Sequence, residues 1–158
     1  MNEPGSSRPT VERVEASRTF ALRQQVLRPH QRIADMALPG DDDPDTGHFA
    51  ALVDGEVVGT ASVRREPPPW PAVETAWRLR GMATAPAWRN RGVGAAVLAA
   101  VIDHVRSHGG GLLWCNARTP ALPFYLRAGF VTRGDPWVEP EIGPHVAMER
   151  HVDAAPPR

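Results

Sequence analysis

A single cysteine, Cys115, stands in a chain of 158 residues, which excludes an internal disulfide and any cysteine-cluster metal site. A reducing compartment suits such a chain, so a cytoplasmic location is expected. The formal net charge is +0, and this balance gives no broad basic face for nucleic acid. No apolar run approaches the roughly 20 residues that span a bilayer, so no membrane partner is expected. Six histidines are present, but no His-Glu-x-x-His motif occurs, and no catalytic metal site is expected. There is one tyrosine, Tyr125. Residues 1–10 are polar, lack the apolar core of a signal peptide and are expected to form a disordered lead-in. The length fits one domain, expected over 11–151, with a flexible tail at 152–158.

What is there alternates between strand and helix patterns. Residues 11–14 suit a short strand. Residues 17–27 suit a helix capped by Ser17 and stopped by Pro29. The acidic, Pro/Gly-rich stretch 38–45 reads as a loop; it lacks the spacing and closing glutamate of a calcium loop. Asp54-Gly55 between β-rich runs at 49–53 and 57–63 marks a hairpin. Residues 77–84 form the next strand, in which Gly81 signals a bulge or a close backbone approach. Val93, Val97, Val101 and Val105 recur every four residues, the stripe of a helix lying on a sheet, and Gly109-Gly110-Gly111 ends it. Residues 112–117 suit a buried strand. Thr119-Pro120 opens a short helix, with Thr119 as its cap and Gly129 at its end. Two strands, 131–138 and 145–151, close the chain. The fold class is α/β, one domain with a mixed, largely antiparallel central sheet flanked by helices.

The most informative segment is Arg89-Asn90-Arg91-Gly92-Val93-Gly94, between a strand and a strongly apolar helix. Free backbone N–H groups and the positive end of the helix dipole meet there and form an anion site. The glycines let a phosphate approach the backbone, and the arginines add fixed charge. Downstream lies Phe124-Tyr125-Leu126-Arg127-Ala128-Gly129-Phe130. Together these segments resemble the pyrophosphate loop and the tyrosine-bearing helix of the GNAT superfamily of N-acetyltransferases, over roughly residues 49–148. The stretches Leu79-Arg80-Gly81-Met82, Trp114-Cys115-Asn116-Ala117-Arg118 and Ile142-Gly143-Pro144-His145 look like those of a subgroup of small bacterial members.

The resemblance implies acetyl-coenzyme A as co-substrate. Its pyrophosphate would lie on Asn90, Arg91, Gly92, Val93, Gly94 and Ala95, with Arg89 nearby. Its pantetheine arm would run beside Met82, Ala83 and Thr84, with an oxyanion donor near the Met82 N–H and a contact from Asn116. Tyr125 would be the general acid. The strand before the loop offers Arg78 and Arg80 where many members carry an acid, so no base carries over directly. His145 is the candidate, with Glu74, Glu139, Glu141 and His48 as further possibilities. Cys115, mid-strand and without an adjacent histidine, reads as an inert buried thiol.

The acceptor implied is a small-molecule amine or an exposed amino group, in a pocket expected from the first helix, the acidic loop and the final strands. The alternative is a coenzyme A-binding sensor or partner module without turnover. A dinucleotide-binding oxidoreductase is disfavoured, because Val97 stands where a third glycine would sit and no acid ends the next strand. Monomer and homodimer both remain open: Trp70, Trp77, Trp88, Trp114 and Trp137 suit either a core or an interface.

Overall fold

The computed structural model describes residues 8–72 and 74–157. Most of the expected lead-in, residues 1–7, lies outside them. Strands β1 (Thr10–Arg13), β2 (Gly47–Val53), β3 (Glu56–Arg65), β4 (Ala76–Thr84), β5 (Gly111–Arg118), β6 (Val131–Glu139) and β7 (Gly143–Val152) form one sheet. Its order is β1-β2-β3-β4-β5-β7-β6. The β4–β5 pair is parallel and every other pair antiparallel. Strand pairing takes in Thr10 and Val152, the latter fully buried, so the sheet reaches one residue past each expected domain boundary.

Among the described residues three α-helices flank the sheet: α1 (Phe20–Leu27), α2 (Val93–Ser107) and α3 (Leu122–Arg127). The valine stripe of α2 is buried against β2, β3 and β4 together with Leu79, Leu113, Cys115, Ala117, Val146 and Met148. Alternation along each strand therefore sends Arg78, Arg80, Asn116, Arg118 and His145 to the opposite face, where α1 packs. No helix among the described residues is long and apolar enough to cross a membrane.

Local chemistry fixes the turns. Asp54 and Gly55 both have positive φ, 51° and 78°, as the tight turn whose twist matches a hairpin requires. Gly110 N–H donates to Val105 O (2.9 Å) and closes α2. Around Gly129, Phe130 N–H donates to Tyr125 O and Gly129 N–H to Leu126 O, a Schellman ending for α3.

Two expected caps do not form. Ser17 is exposed, and the chain enters α1 through a 3-10 turn, Ala16–Thr19, without a side-chain cap. Buried Thr19 anchors that turn instead, donating to Ala16 O (2.7 Å) and accepting from Arg23 (3.2 Å). Thr119 likewise begins a 3-10 turn, Thr119–Ala121, and caps nothing; α3 starts after it. In both places a 3-10 turn stands where the capped helix start was expected.

Candidate active-site cleft

Gly81 lies at φ 65°, and the β3–β4 register slips between Thr60↔Ala83 and Ser62↔Arg80. Gly81 and Met82 thus face one residue, Ala61. This is the bulge type that places glycine in the left-handed region. Thr60 Oγ1 donates to Gly81 O (2.8 Å) and holds it. Beyond the bend, β4 leaves β5: parallel pairing runs only from Ala76↔Leu112 to Arg78↔Trp114. The wedge between the diverging strands is part of an open cleft of about 1450 Å³.

Met82, Ala83, Thr84, Arg89, Asn90, Gly92, Val93, Gly94, Ala95 and Asn116 line this cleft, as do Tyr125 and His145. The structure therefore gathers all but one of the expected site residues. The exception is Arg91, whose guanidinium lies over the Trp88 ring at 4.3 Å and does not line the cleft. Asn90 (φ 61°) and Gly92 (φ 82°) bend the backbone into α2. Gly92 is the N-cap and supplies no side-chain acceptor. The first α-helical bond here is Ala96 N–H to Gly92 O (3.1 Å). Val93, Gly94 and Ala95 consequently present N–H groups without intrahelical partners, an anion cradle. At Gly94 a Cβ would meet the Phe124 ring at 3.3 Å, so its smallness lets α3 close on the start of α2.

Tyr125 is buried between Phe124 and Phe130, with ring centroids at 5.1 and 5.4 Å. It belongs to the core face with Cys115. Burial first, then Cys115, pushes its hydroxyl pKa up, so the group stays protonated. Burial also lifts the Cys115 thiol to about 12, which leaves no thiolate nucleophile at neutral pH.

His145 sits on the other face, paired in register with Arg118 and stacked on Trp137 (5.8 Å, 22°). Its Nδ1 lies 2.9 Å from Gly143 O. A carbonyl only accepts, so Nδ1 carries a proton, and in the neutral ring Nε2 presents the lone pair. The remaining candidates separate clearly. His48 bonds Ser62 Oγ (2.7 Å) and Asp41 O (2.9 Å) and does not line the cleft; it is a structural histidine. Glu74 pairs with His151 away from the cleft. Glu141 is exposed and lies 3.6 Å from His30. Glu139 lines the cleft and accepts from Trp137 Nε1 (2.9 Å).

Of the acidic loop only Leu38 lines the cleft; its aspartates do not wall it as expected. Asp41 accepts from Leu38 N–H (2.9 Å), Asp45 pairs with Arg65, and none of residues 41–45 lines it. Arg23, Arg28, Arg78, Arg80 and Arg118 take that place. Sequence gave one usable hint: Arg78 and Arg80 alternate with buried Trp77 and Leu79, which puts both on one face. Arg23, Arg28 and Arg118 come from elements far apart in sequence and carried no local signal.

Residues 13–130 match the model of the acetyltransferase (GNAT) family. The uncharacterized N-acetyltransferase YitI of Bacillus subtilis is 30% identical over 138 residues, 87% of this chain and 93% of that protein. Solved structures share the fold at low identity. A GNAT superfamily phosphinothricin acetyltransferase from Sinorhizobium meliloti, in complex with AcCoA, has a TM-score of 0.70 at 16% identity, covering 92% of this chain and 89% of that one. An acyl-CoA N-acyltransferase from Pseudomonas aeruginosa has a TM-score of 0.66 at 18% identity, covering 92% and 99%. The chain belongs to the GNAT acetyltransferase family.

Proposed function

We propose that the protein moves an acetyl group from acetyl-coenzyme A to the primary amine of a small molecule or an exposed amino group, by direct attack. The observation that carries this reading is the wedge itself. One cleft joins the free N–H groups at the start of α2 to a split between β4 and β5, with Tyr125 on one face and His145 on the other.

The N–H groups of Val93, Gly94 and Ala95, with Arg89 beside them, would hold the pyrophosphate. The free edge of β4 beyond Arg78 would hold the pantetheine arm as an added strand. The donor contributes an activated thioester carbonyl. The amine lone pair forms the new C–N bond as the C–S bond breaks. His145 Nε2 would take the amine proton, and Tyr125 would supply a proton to the leaving sulfur. A thiolate is less basic than a phenolate, so Tyr125 acts first as a hydrogen-bond donor to the charge building on sulfur. Direct attack needs no enzyme nucleophile, which agrees with the buried, protonated Cys115.

Calorimetric titration with acetyl-coenzyme A, followed by a thiol-release screen over amines, tests this function. Gly92 offers a clean pair of variants, because a Cβ there meets nothing within 4 Å. Gly92→Ala and Gly92→Glu carry the same backbone strain, and only the second puts a negative charge beside the cradle. Binding should survive the first and vanish in the second. Equal affinities in folded variants would refute the loop assignment. Binding without thiol release for any amine would favour a ligand-binding module.

A further inference from the structure

The chain is neutral overall, yet the α1 side of its cleft is not. Arg23, Arg28, Arg78, Arg80 and Arg118 line it, against only Asp35 and Glu139. Asp35 is already committed to Arg32. Glu66 alone lies within reach of three guanidiniums, Arg78 (2.9 Å), Arg64 (3.8 Å) and Arg80 (3.9 Å). Among the described residues, Arg23, Arg28 and Arg118 make no ion pair.

Their geometry is specific. Arg28 and Arg118, from α1 and β5, both donate to one acceptor, Leu27 O at the end of α1. The helix dipole supplies only about half a negative charge there, which two guanidiniums exceed. Buried Arg23 donates to Thr19 Oγ1 and Met36 O. It packs so closely on the bulge that a Cβ at Gly81 would meet its Nε at 2.9 Å. The Nε of Arg78 is buried without a partner. Loss of water around Arg23, Arg28, Arg80 and Arg118 holds their pKa values down. Arg28 adds repulsion on Arg23 and Arg118, and Arg78, Arg64 and Arg23 add it on Arg80, while Asp41, Glu139 and Glu66 offset part of the effect at Arg23, Arg28 and Arg80. Like charges held together and half-desolvated are the pattern of an anion site whose counter-charge comes with the ligand.

We propose that the acceptor is an amine that also carries a compact anion, a carboxylate or phosphate, held by Arg28 and Arg118 with Arg23 and Arg80 behind them. This rests on the acetyl-transfer reading and narrows its substrate class. The same field opposes an ammonium group, so it favours the uncharged, nucleophilic amine and eases the work of His145.

The test uses matched pairs: β-alanine against propylamine, and phosphoethanolamine against ethanolamine. Each is titrated into the protein saturated with coenzyme A, so that the α2 cradle is already filled, and then assayed with acetyl-coenzyme A. The anionic member should bind at least about tenfold more tightly, the scale of a charge-assisted contact. Arg28→Gln with Arg118→Gln should remove that preference while acetyl-coenzyme A affinity holds. Arg118→Lys, which keeps the charge, should retain part of it. Equal binding of both members, or binding of neither, overturns the proposal. So does a parallel loss of acetyl-coenzyme A affinity in the double variant, which would assign the cluster to the donor's phosphates. Failure of the wild type to bind acetyl-coenzyme A refutes the donor reading separately.

Discussion

In the proposed reaction Tyr125 and His145 divide the proton traffic between two faces of one sheet. Tyr125 stays protonated because burial disfavours its anion, and it packs with the core beneath the wedge. Tyr125→Phe removes one oxygen and leaves the ring contacts with Phe124 and Phe130. Turnover should fall about tenfold or more, the low end of the acid–base range, with acetyl-coenzyme A affinity nearly unchanged. Unchanged turnover in stopped assays would remove Tyr125 from the acid role. His145→Gln keeps a donor for Gly143 O but loses the Nε2 lone pair. Its kcat should drop by about 10²-fold, with a smaller change in acceptor KM. An equal effect on KM alone would mark His145 as a contact residue. Sequence named both side chains through motif likeness. It ranked His145 above His48, and the fold supplies the physical reason, since His48 has both ring nitrogens satisfied.

Elements place these residues, and the legible ones were those whose cause is local. The Asp54-Gly55 hairpin, the α2 stripe and the Gly81 bulge each follow from a few adjacent residues. The caps expected at Ser17 and Thr119 gave way to 3-10 turns ahead of the helices. The arginine wall was invisible because it is assembled from separate elements, α1 and its end, β4 and β5. Gly81 carries the largest consequence. Gly81→Ala forces a left-handed alanine, costing about 1–2 kcal/mol, and pushes on Arg23. Urea unfolding should show that loss, and calorimetry should show weaker acetyl-coenzyme A binding as the wedge changes shape. Full stability would mean that the bulge relaxes without strain. A second element joint is His104 on α2, which reaches Asp45 O (2.7 Å) beside Phe49 and Trp77. Burial leads its causes and lowers its pKa. The folded state therefore prefers neutral His104, and its contribution is complete above the ordinary histidine value near 6.5. That contribution is lost as pH falls through the lowered folded value, because the unfolded chain binds the proton first. His104→Gln should flatten the acid limb of urea midpoints measured across that range. An unaltered limb would assign the acid sensitivity to other groups.

Across the whole molecule, equal numbers of acidic and basic side chains hide an uneven placement. All 18 basic residues of the Lys+Arg count are arginine, and eight of them line the cleft: the five of the proposed anion site with Arg89, Arg127 and Arg150. Net charge reports on solubility, whereas a cleft focuses whatever charge lines it. A guanidinium does not deprotonate in proteins, in contrast to an ammonium group. The cleft field should therefore respond to salt and ignore alkaline pH. Raising ionic strength from about 0.05 M to about 0.5 M shortens the screening length from roughly 14 Å to roughly 4 Å. The acetyl-coenzyme A dissociation constant should rise several-fold over that change. It should stay level from about pH 7.5 to about pH 9.5, below the range in which lysine begins to lose its proton. Calorimetry at matched temperature reads both dependences. A constant insensitive to salt would mean that the backbone cradle of α2 binds the donor without help from the arginines, and a fall in affinity at alkaline pH would point to a titrating group outside this set.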